Sequence, residues 1–235
     1  MASSTSLEAD QASGQLALID FNIGMNPQYY YAAIQGKIEI FKNIGKALNL
    51  ILTPNRNTVL HVYLTALKKE SESSSQTNFV NEILKMCSLL LWQANTKGET
   101  PLHIASRYGH ASMVKVLIKH AESFQEDLES GVTTTVKEML EMPNKEKDTA
   151  LHEAVRNNHL DVVKLLIEKG PGFSYSANDI GETPLYIAVE RNFKDLVLEI
   201  LRSCTSPAHG GPLGRTTLHA AVIWDDKGIC LNLFF

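Results

Sequence analysis

Asn95-Thr96-Lys97-Gly98-Glu99-Thr100-Pro101-Leu102-His103-Ile104-Ala105 contains a short signature, Thr-Pro-Leu-His, that the chain writes again and again. Thr58-Val59-Leu60-His61 precedes it, and Thr149-Ala150-Leu151-His152 follows. Two further copies are Thr183-Pro184-Leu185-Tyr186 and Thr216-Thr217-Leu218-His219. Successive threonines are 42, 49, 34 and 33 residues apart. A period of about 33 residues, with additions of about 9 and 16 in the first two intervals, describes all five copies. Self-similarity at such a period marks a chain of stacked units rather than one closed core.

Each unit has the same internal order. A turn carrying Gly98, Gly181 or Gly214 sits two residues before the threonine, and Arg56 and Lys147 hold that place in the other copies. Glycine suits a turn residue with positive φ, so the Arg and Lys copies carry a backbone cost of about 1 kcal/mol. The threonine can cap a helix, and proline fits at the first helical position. A small residue follows in each of the last four copies: Ala105, Ala154, Ala188 and Ala221. Burial of these alanines would let neighbouring helices approach closely. A second tight turn, Tyr108-Gly109-His110 or Asn157-Asn158-His159, then leads into Met113-Val114-Lys115-Val116-Leu117-Ile118 or Val162-Val163-Lys164-Leu165-Leu166-Ile167. Apolar residues at i, i+3 and i+4 predict a second helix with one buried face.

The fivefold signature resembles ankyrin repeats, over roughly residues 26–224. The expected fold is all-α: an ankyrin solenoid of five to six repeats, the last truncated. Three segments carry a narrower resemblance: Asn26-Pro27-Gln28-Tyr29-Tyr30-Tyr31-Ala32-Ala33-Ile34-Gln35-Gly36, Leu52-Thr53-Pro54-Asn55-Arg56-Asn57, and Asn144-Lys145-Glu146-Lys147-Asp148 with the signature that follows it. They are similar to plant ankyrin proteins of the accelerated-cell-death type. That family joins an N-terminal ankyrin array to C-terminal transmembrane helices and is linked to defence and cell-death signalling. This sequence departs from it at the end, where no apolar stretch reaches the roughly 18 residues needed to span a bilayer. The resemblance therefore implies either an adaptor or a membrane-less form that modulates membrane-anchored ankyrin relatives.

Composition narrows the functional classes. Of 235 residues, 22 are Lys or Arg and 26 are Asp or Glu, a formal charge of −4 that gives no basic field for gripping phosphates. Nucleic acid is excluded as an expected partner. Residues 1–24 hold no Lys or Arg, so neither a signal nor a transit peptide fits, and a disordered segment is expected there. Cys87, Cys204 and Cys230 are odd in number and widely spaced, which argues for a reducing, cytoplasmic setting and against a disulfide framework.

Histidine in the signature invites a hydrolase reading with His61, His103, His152 or His219 as base. A base is needed once, however, and these recur once per unit, so a structural tie is the better account. Tyr186 in the same place points the same way. His152-Glu153 lacks the second histidine of a zinc-protease helix, since Arg156 stands there. No phosphate loop, nucleophile elbow or metal-ligand spacing is present, and no cofactor is expected.

Two insertions and the tail complete the expected domain of residues 25–224. Residues 68–77 are polar and serine-rich and read as a loop. Residues 120–143 are acidic, with Val136, Met139 and Leu140 at helical spacing, and read as an added helix before Pro143. Residues 225–235 read as a truncated hydrophobic tail with no second helix. The expected function is protein–protein interaction. Its contacts would lie at the turn tips (Lys97, Glu99, Lys145, Lys147, Asp179, Ile180, Glu182) and first-helix ends (Arg107, Tyr108, Arg156, Glu190, Arg191). On that reading, replacing Arg107 and Tyr108 together would leave thermal stability unchanged. The partner would be another protein, and any association with the plasma membrane would run through it.

Overall fold

In the computed structural model, residues 25–68, 74–126, 136–170, 176–204, 207–224 and 227–234 are described. The expectation for residues 1–24 lies outside them. Twelve α-helices occur among the described residues, and they pair along the chain. Repeat one holds α1 (Pro27–Gln35) followed by 3-10 turns at Ile38–Ile40 and Gly45–Leu50 in place of a second helix. Repeat two holds α2 (Val59–Ala66) and α3 (Ser74–Met86), and repeat three α4 (Pro101–Tyr108) and α5 (Ala111–Glu126). An added helix, α6 (Val136–Glu141), precedes repeat four, which is α7 (Ala150–Arg156) and α8 (Leu160–Lys169). Repeat five is α9 (Pro184–Glu190) and α10 (Lys194–Ser203), and repeat six is α11 (Thr217–Ile223) and α12 (Lys227–Phe234).

First helices stack on first helices (α2, α4, α7, α9, α11), and second helices on second helices (α3, α5, α8, α10, α12). Thr58, Thr100, Thr149 and Thr216 open their helices in extended backbone conformation, each in a capping box with the histidine three residues on. Ala105, Ala154 and Ala188 are fully buried. The second helices bury Met113, Val114, Leu117 and Ile118 in α5 and Val162, Val163, Leu166 and Ile167 in α8. One contiguous apolar core thus runs the length of the stack.

Three expectations need correction. The serine-rich stretch is not a loop throughout, because α3 begins at Ser74; residues 69–73 lie outside the described residues. Buried Phe79, Val80, Ile83 and Leu84 form a helical stripe whose packing draws the preceding polar turn into the helix. In the second insertion, α6 is present with Met139 and Leu140 buried, but residues 120–126 prolong α5 rather than start the insertion. The third concerns the tail. Residues 227–234 form α12, a true second helix, which packs on α10 and α11 and buries Ile229.

Candidate functional site

The turn tips are built by asparagine. Asn95 Oδ1 accepts the N–H groups of Lys97 (2.9 Å) and Glu99 (3.0 Å). Asn144 does the same for Glu146 and Asp148, and Asn178 for Ile180 and Glu182. Such side-chain bonds replace backbone partners that a tight turn lacks. Gly98 and Gly181 have φ of 77° and 87°, and Arg56 and Lys147 adopt 58° and 60° in the equivalent places, the strained geometry expected for those copies. Adjacent tips are tied in a row. Thr96 N–H donates to Asn55 O, Lys145 N–H to Lys97 O and Asp179 N–H to Glu146 O, each at 2.9 Å.

The signature histidines tie the same row from behind. Thr58 N–H donates to His61 Nδ1 (3.3 Å), so the ring's proton lies on Nε2, which donates to Glu99 O at 2.8 Å in the next repeat. His103 reaches Asp148 O (3.1 Å) and His152 reaches Glu182 O (3.2 Å) in the same manner. Burial pushes His61 and His152 down to about 4, against a lesser upward pull from the bonded carbonyl and nearby carboxylates. These rings are neutral at physiological pH, with both nitrogens engaged, so they lock repeats together. Where Tyr186 replaces histidine, Thr183 Oγ1 instead donates to Gly210 O at 2.9 Å.

Four of the twelve sequence-nominated contact residues are not free surface. Arg107 donates through Nε (2.9 Å) and an Nη (2.6 Å) to Glu153 in the next repeat and pairs with Glu99 in its own. The side chains of Glu99 and Glu153 are only 5% exposed. Arg156 repeats the arrangement one unit on: it binds Asp148 at 2.6 and 3.0 Å and Glu182 at 3.3 Å. Burial alone would raise Glu99, but hydrogen bonds from Arg107 and Asn95 outweigh it and hold the carboxyl below its ordinary range. Asp148 is held low in the same way by Arg156 and Asn178. Glu99, Arg107, Arg156 and Glu182 are therefore rungs of an internal ladder joining repeats three, four and five. The expectation that Arg107 could be removed without loss of stability is corrected accordingly.

Sequence reasoning passed over Asp148 and Glu153 as ladder members. A signal was present: an acid one residue before the threonine and an arginine eight residues after that acid recur as Glu99/Arg107 and Asp148/Arg156.

The other eight nominated residues are exposed. Lys97, Lys145, Lys147, Asp179 and Ile180 line the tips, and Tyr108, Glu190 and Arg191 stand at first-helix ends. Ile180 is 64% exposed, and Lys147 and Asp179 form an exposed ion pair at 2.7 Å. Tyr108 lies stacked on the ring of His110 with centroids 6.0 Å apart. Lys97 and Tyr108 face the same groove, about 250 Å³ in volume, between the tips and first helices of repeats two and three; Asn55, Asn57, Thr65, Asn95 and Ile104 also line it. Among the described residues, no cluster of three or more His, Cys, Asp or Glu could hold a metal ion. No described helix is long and apolar enough to cross a membrane.

A row of Asn-built tips, tied across successive Thr-capped helix pairs, defines a repeat solenoid. The family model for ankyrin repeats matches three times, at residues 29–127, 73–179 and 128–205, and the chain belongs to the ankyrin-repeat family. Its fold is similar to that of the ankyrin repeat domain of Bcl-3, described as a unique member of the IkappaB protein family. The TM-score is 0.63 over 89% of this chain and 84% of that one, at 22% identity. The chain is also similar to the protein ACCELERATED CELL DEATH 6 of Arabidopsis thaliana, 24% identical over 114 residues. That match takes in 47% of this chain and 16% of the length of the Arabidopsis protein. The ankyrin fold is a protein-interaction scaffold, working through the surface it presents.

Proposed function

We propose that this chain is a cytoplasmic adaptor in plant cell-death or defence signalling that seats a protein partner along the groove of repeats two and three. The observation that carries the reading is Tyr108: a large aromatic ring, 40% exposed, braced by His110 and flanked by the exposed Lys97. A braced aromatic beside a cation is a common anchor at interfaces, since little freedom is lost on binding. Tip residues Lys145, Asp179 and Ile180 would extend the contact along the array. The cell-death setting rests on the similarity to the Arabidopsis protein, and the defence setting and a membrane-anchored ankyrin relative as one partner rest on the resemblance to the plant ankyrin family that the sequence segments carry.

The test uses the tagged full chain in plant extracts separated into membrane and soluble fractions. A Lys97→Ala, Tyr108→Ala variant should lose its captured partners at least tenfold while melting like the parent, because neither side chain belongs to the ladder. An unchanged set of partners overturns the groove reading. Partners confined to the soluble fraction would remove the membrane-anchored relative from the proposal.

A further inference from the structure

The tip of repeat six is built differently from those before it. In repeats three to five the turn closes with Gly98 N–H donating to Asn95 O (3.0 Å), Lys147 N–H to Asn144 O (3.1 Å) and Gly181 N–H to Asn178 O (3.0 Å). Repeat six has Gly211 in place of the asparagine, and its turn closes one residue later, with Arg215 N–H donating to Pro212 O at 3.0 Å. Leu213 and Gly214 inside it have φ of 57° and 72°, the two positive values of a type I′ turn. Asn, Asp and Gly suit the first of those places, and a leucine there strains the backbone. Among the described non-glycine residues with positive φ, Leu213 is the one apolar side chain. It is also 94% exposed, so no burial within the chain offsets the strain, and a strained, exposed leucine points to a role outside the fold.

Ile180 stands at the equivalent place of the neighbouring tip, three residues before its capping threonine, and is 64% exposed. The two tips touch: a Cβ added to Gly181 would lie 3.2 Å from Pro212 Cα. Pro212 falls where Thr96, Lys145 and Asp179 donate to the preceding tip, and proline has no N–H to give. Exposure belongs to the place rather than to a missing neighbour. Lys97 and Glu146 occupy it in repeats three and four, with tips on both sides, and are exposed, as Ile180 is between tips four and six. A further tip beside Leu213 would leave its side chain outward in the same way.

The row that carries this aliphatic pair is basic in a chain that is acidic overall. At the tips of repeats two to six the exposed cations Arg56, Lys97, Lys145, Lys147 and Arg215 outnumber the exposed anions Glu146 and Asp179, while the chain carries a formal charge of −4. Aliphatic side chains on protruding turns, edged by cations, match an anionic bilayer surface, where alkyl groups meet the acyl boundary and cations the headgroups. A protein partner would have to bring hollows shaped to two separate tips, whereas a bilayer takes any protruding alkyl group.

We propose that the tips of repeats five and six are a peripheral docking site for an anionic lipid surface. Ile180 and Leu213 enter the boundary between headgroups and acyl chains, and the cations of the row, with Arg215 nearest to Leu213 in the chain, meet the headgroups. The site does not depend on the groove reading. Ile180 also extends the partner contact proposed above, so Leu213, which that contact does not use, carries the test.

The probe is a vesicle of phosphatidylcholine and phosphatidylserine in a three-to-one ratio, sedimented with the full chain at low salt. The chain should pellet with these vesicles, and about tenfold more weakly with phosphatidylcholine alone or in half-molar salt. Leu213→Asn should weaken binding about tenfold while melting no lower than the parent, because asparagine tolerates positive φ. Ile180→Asn, which copies Asn55 of repeat two, should add to that loss. Tyr108→Ala should leave vesicle binding intact, so this site and the groove can fail separately. Should either apolar variant melt early, amide exchange of the unaltered chain decides, since the vesicles must slow exchange at residues 180–181 and 213–215. No binding to the phosphatidylserine vesicles overturns the proposal and gives the tip pair to a protein partner. Binding that Leu213→Asn leaves unchanged, binding as strong without phosphatidylserine, or no slowing of exchange at the two tips overturns it as well.

Discussion

Replacing Arg107 by alanine tests the ladder most directly. Its guanidinium, 28% exposed, holds two carboxylates that are each 5% exposed and belong to successive repeats. Without it, Glu99 and Glu153 remain as two negative charges on groups largely shut off from water. Removing one partner of a buried pair costs about 3–5 kcal/mol. The lower end applies here, because Arg107 is partly solvated and Asn95 Nδ2 still donates to Glu99 at 2.8 Å. A loss of about 3 kcal/mol lowers the melting temperature of a domain this size by about 6–12 °C. Urea unfolding followed by far-ultraviolet circular dichroism measures the first quantity, and a thermal scan the second. Adding Glu153→Gln to Arg107→Ala removes one stranded charge and should recover at least about 1 kcal/mol, while Glu153→Gln alone should destabilise. A loss below about 1 kcal/mol, or no recovery in the double variant, would refute the view that Arg107 is an internal rung.

Acid should unfold the array through its histidines. His61 and His152 titrate at about 4 in the fold against 6.5 when free, so only the unfolded chain takes up their protons between those values. Their contribution is intact above pH 6.5 and falls as pH drops toward 4, by up to about 3 kcal/mol for each, readable as a falling urea midpoint. Gly211→Ala should cost about 1–3 kcal/mol, since its Cβ would lie 2.2 Å from the Tyr186 ring. Tyr186→His in the same chain should recover part of that loss, and an unchanged denaturation midpoint in the single variant would count against the packing argument. Arg56→Gly should stabilise by about 0.5–1 kcal/mol, because Arg56 is exposed and its φ is 58°; a lower midpoint would show that the turn is not strained.

The fold was legible because its determinants are local and repeated. In four of the five copies a capping threonine and a histidine three residues later satisfy one another inside a single turn, and the common register of all five spells out the helix starts. The second helices were equally open to reading, since Val162, Val163, Leu166 and Ile167 declare a face by spacing alone. The ladder was harder, because Arg107 finds Glu153 at a separation of 46 residues and each looks like an ordinary surface charge until the repeats are stacked. For α12 the obstacle was different. A short helix containing Gly228 has little intrinsic tendency to form, and packing against α10 and α11 supplies what the sequence lacks. Residues 74–77 were misread for a related reason: their polarity is that of a loop, while the apolar stripe that makes them helical begins only at Phe79.

The ladder also predicts where the array comes apart. Its ion pairs span the joints between repeats three and four and between four and five. At the next joint the pattern inverts, with Glu190 in the arginine's place and Arg215 in the acid's, both exposed. Tyr186 interrupts the histidine ties there as well, leaving the Thr183–Gly210 bond, a bond from Trp224 Nε1–H to Glu190 O and apolar contact. In a linear stack, each joint's strength sets how far an opening spreads. Repeats three to five should therefore melt as one block, with α11 and α12 peeling away at lower free energy. Amide exchange would resolve this as two tiers of protection, divided between Ser203 and Thr216.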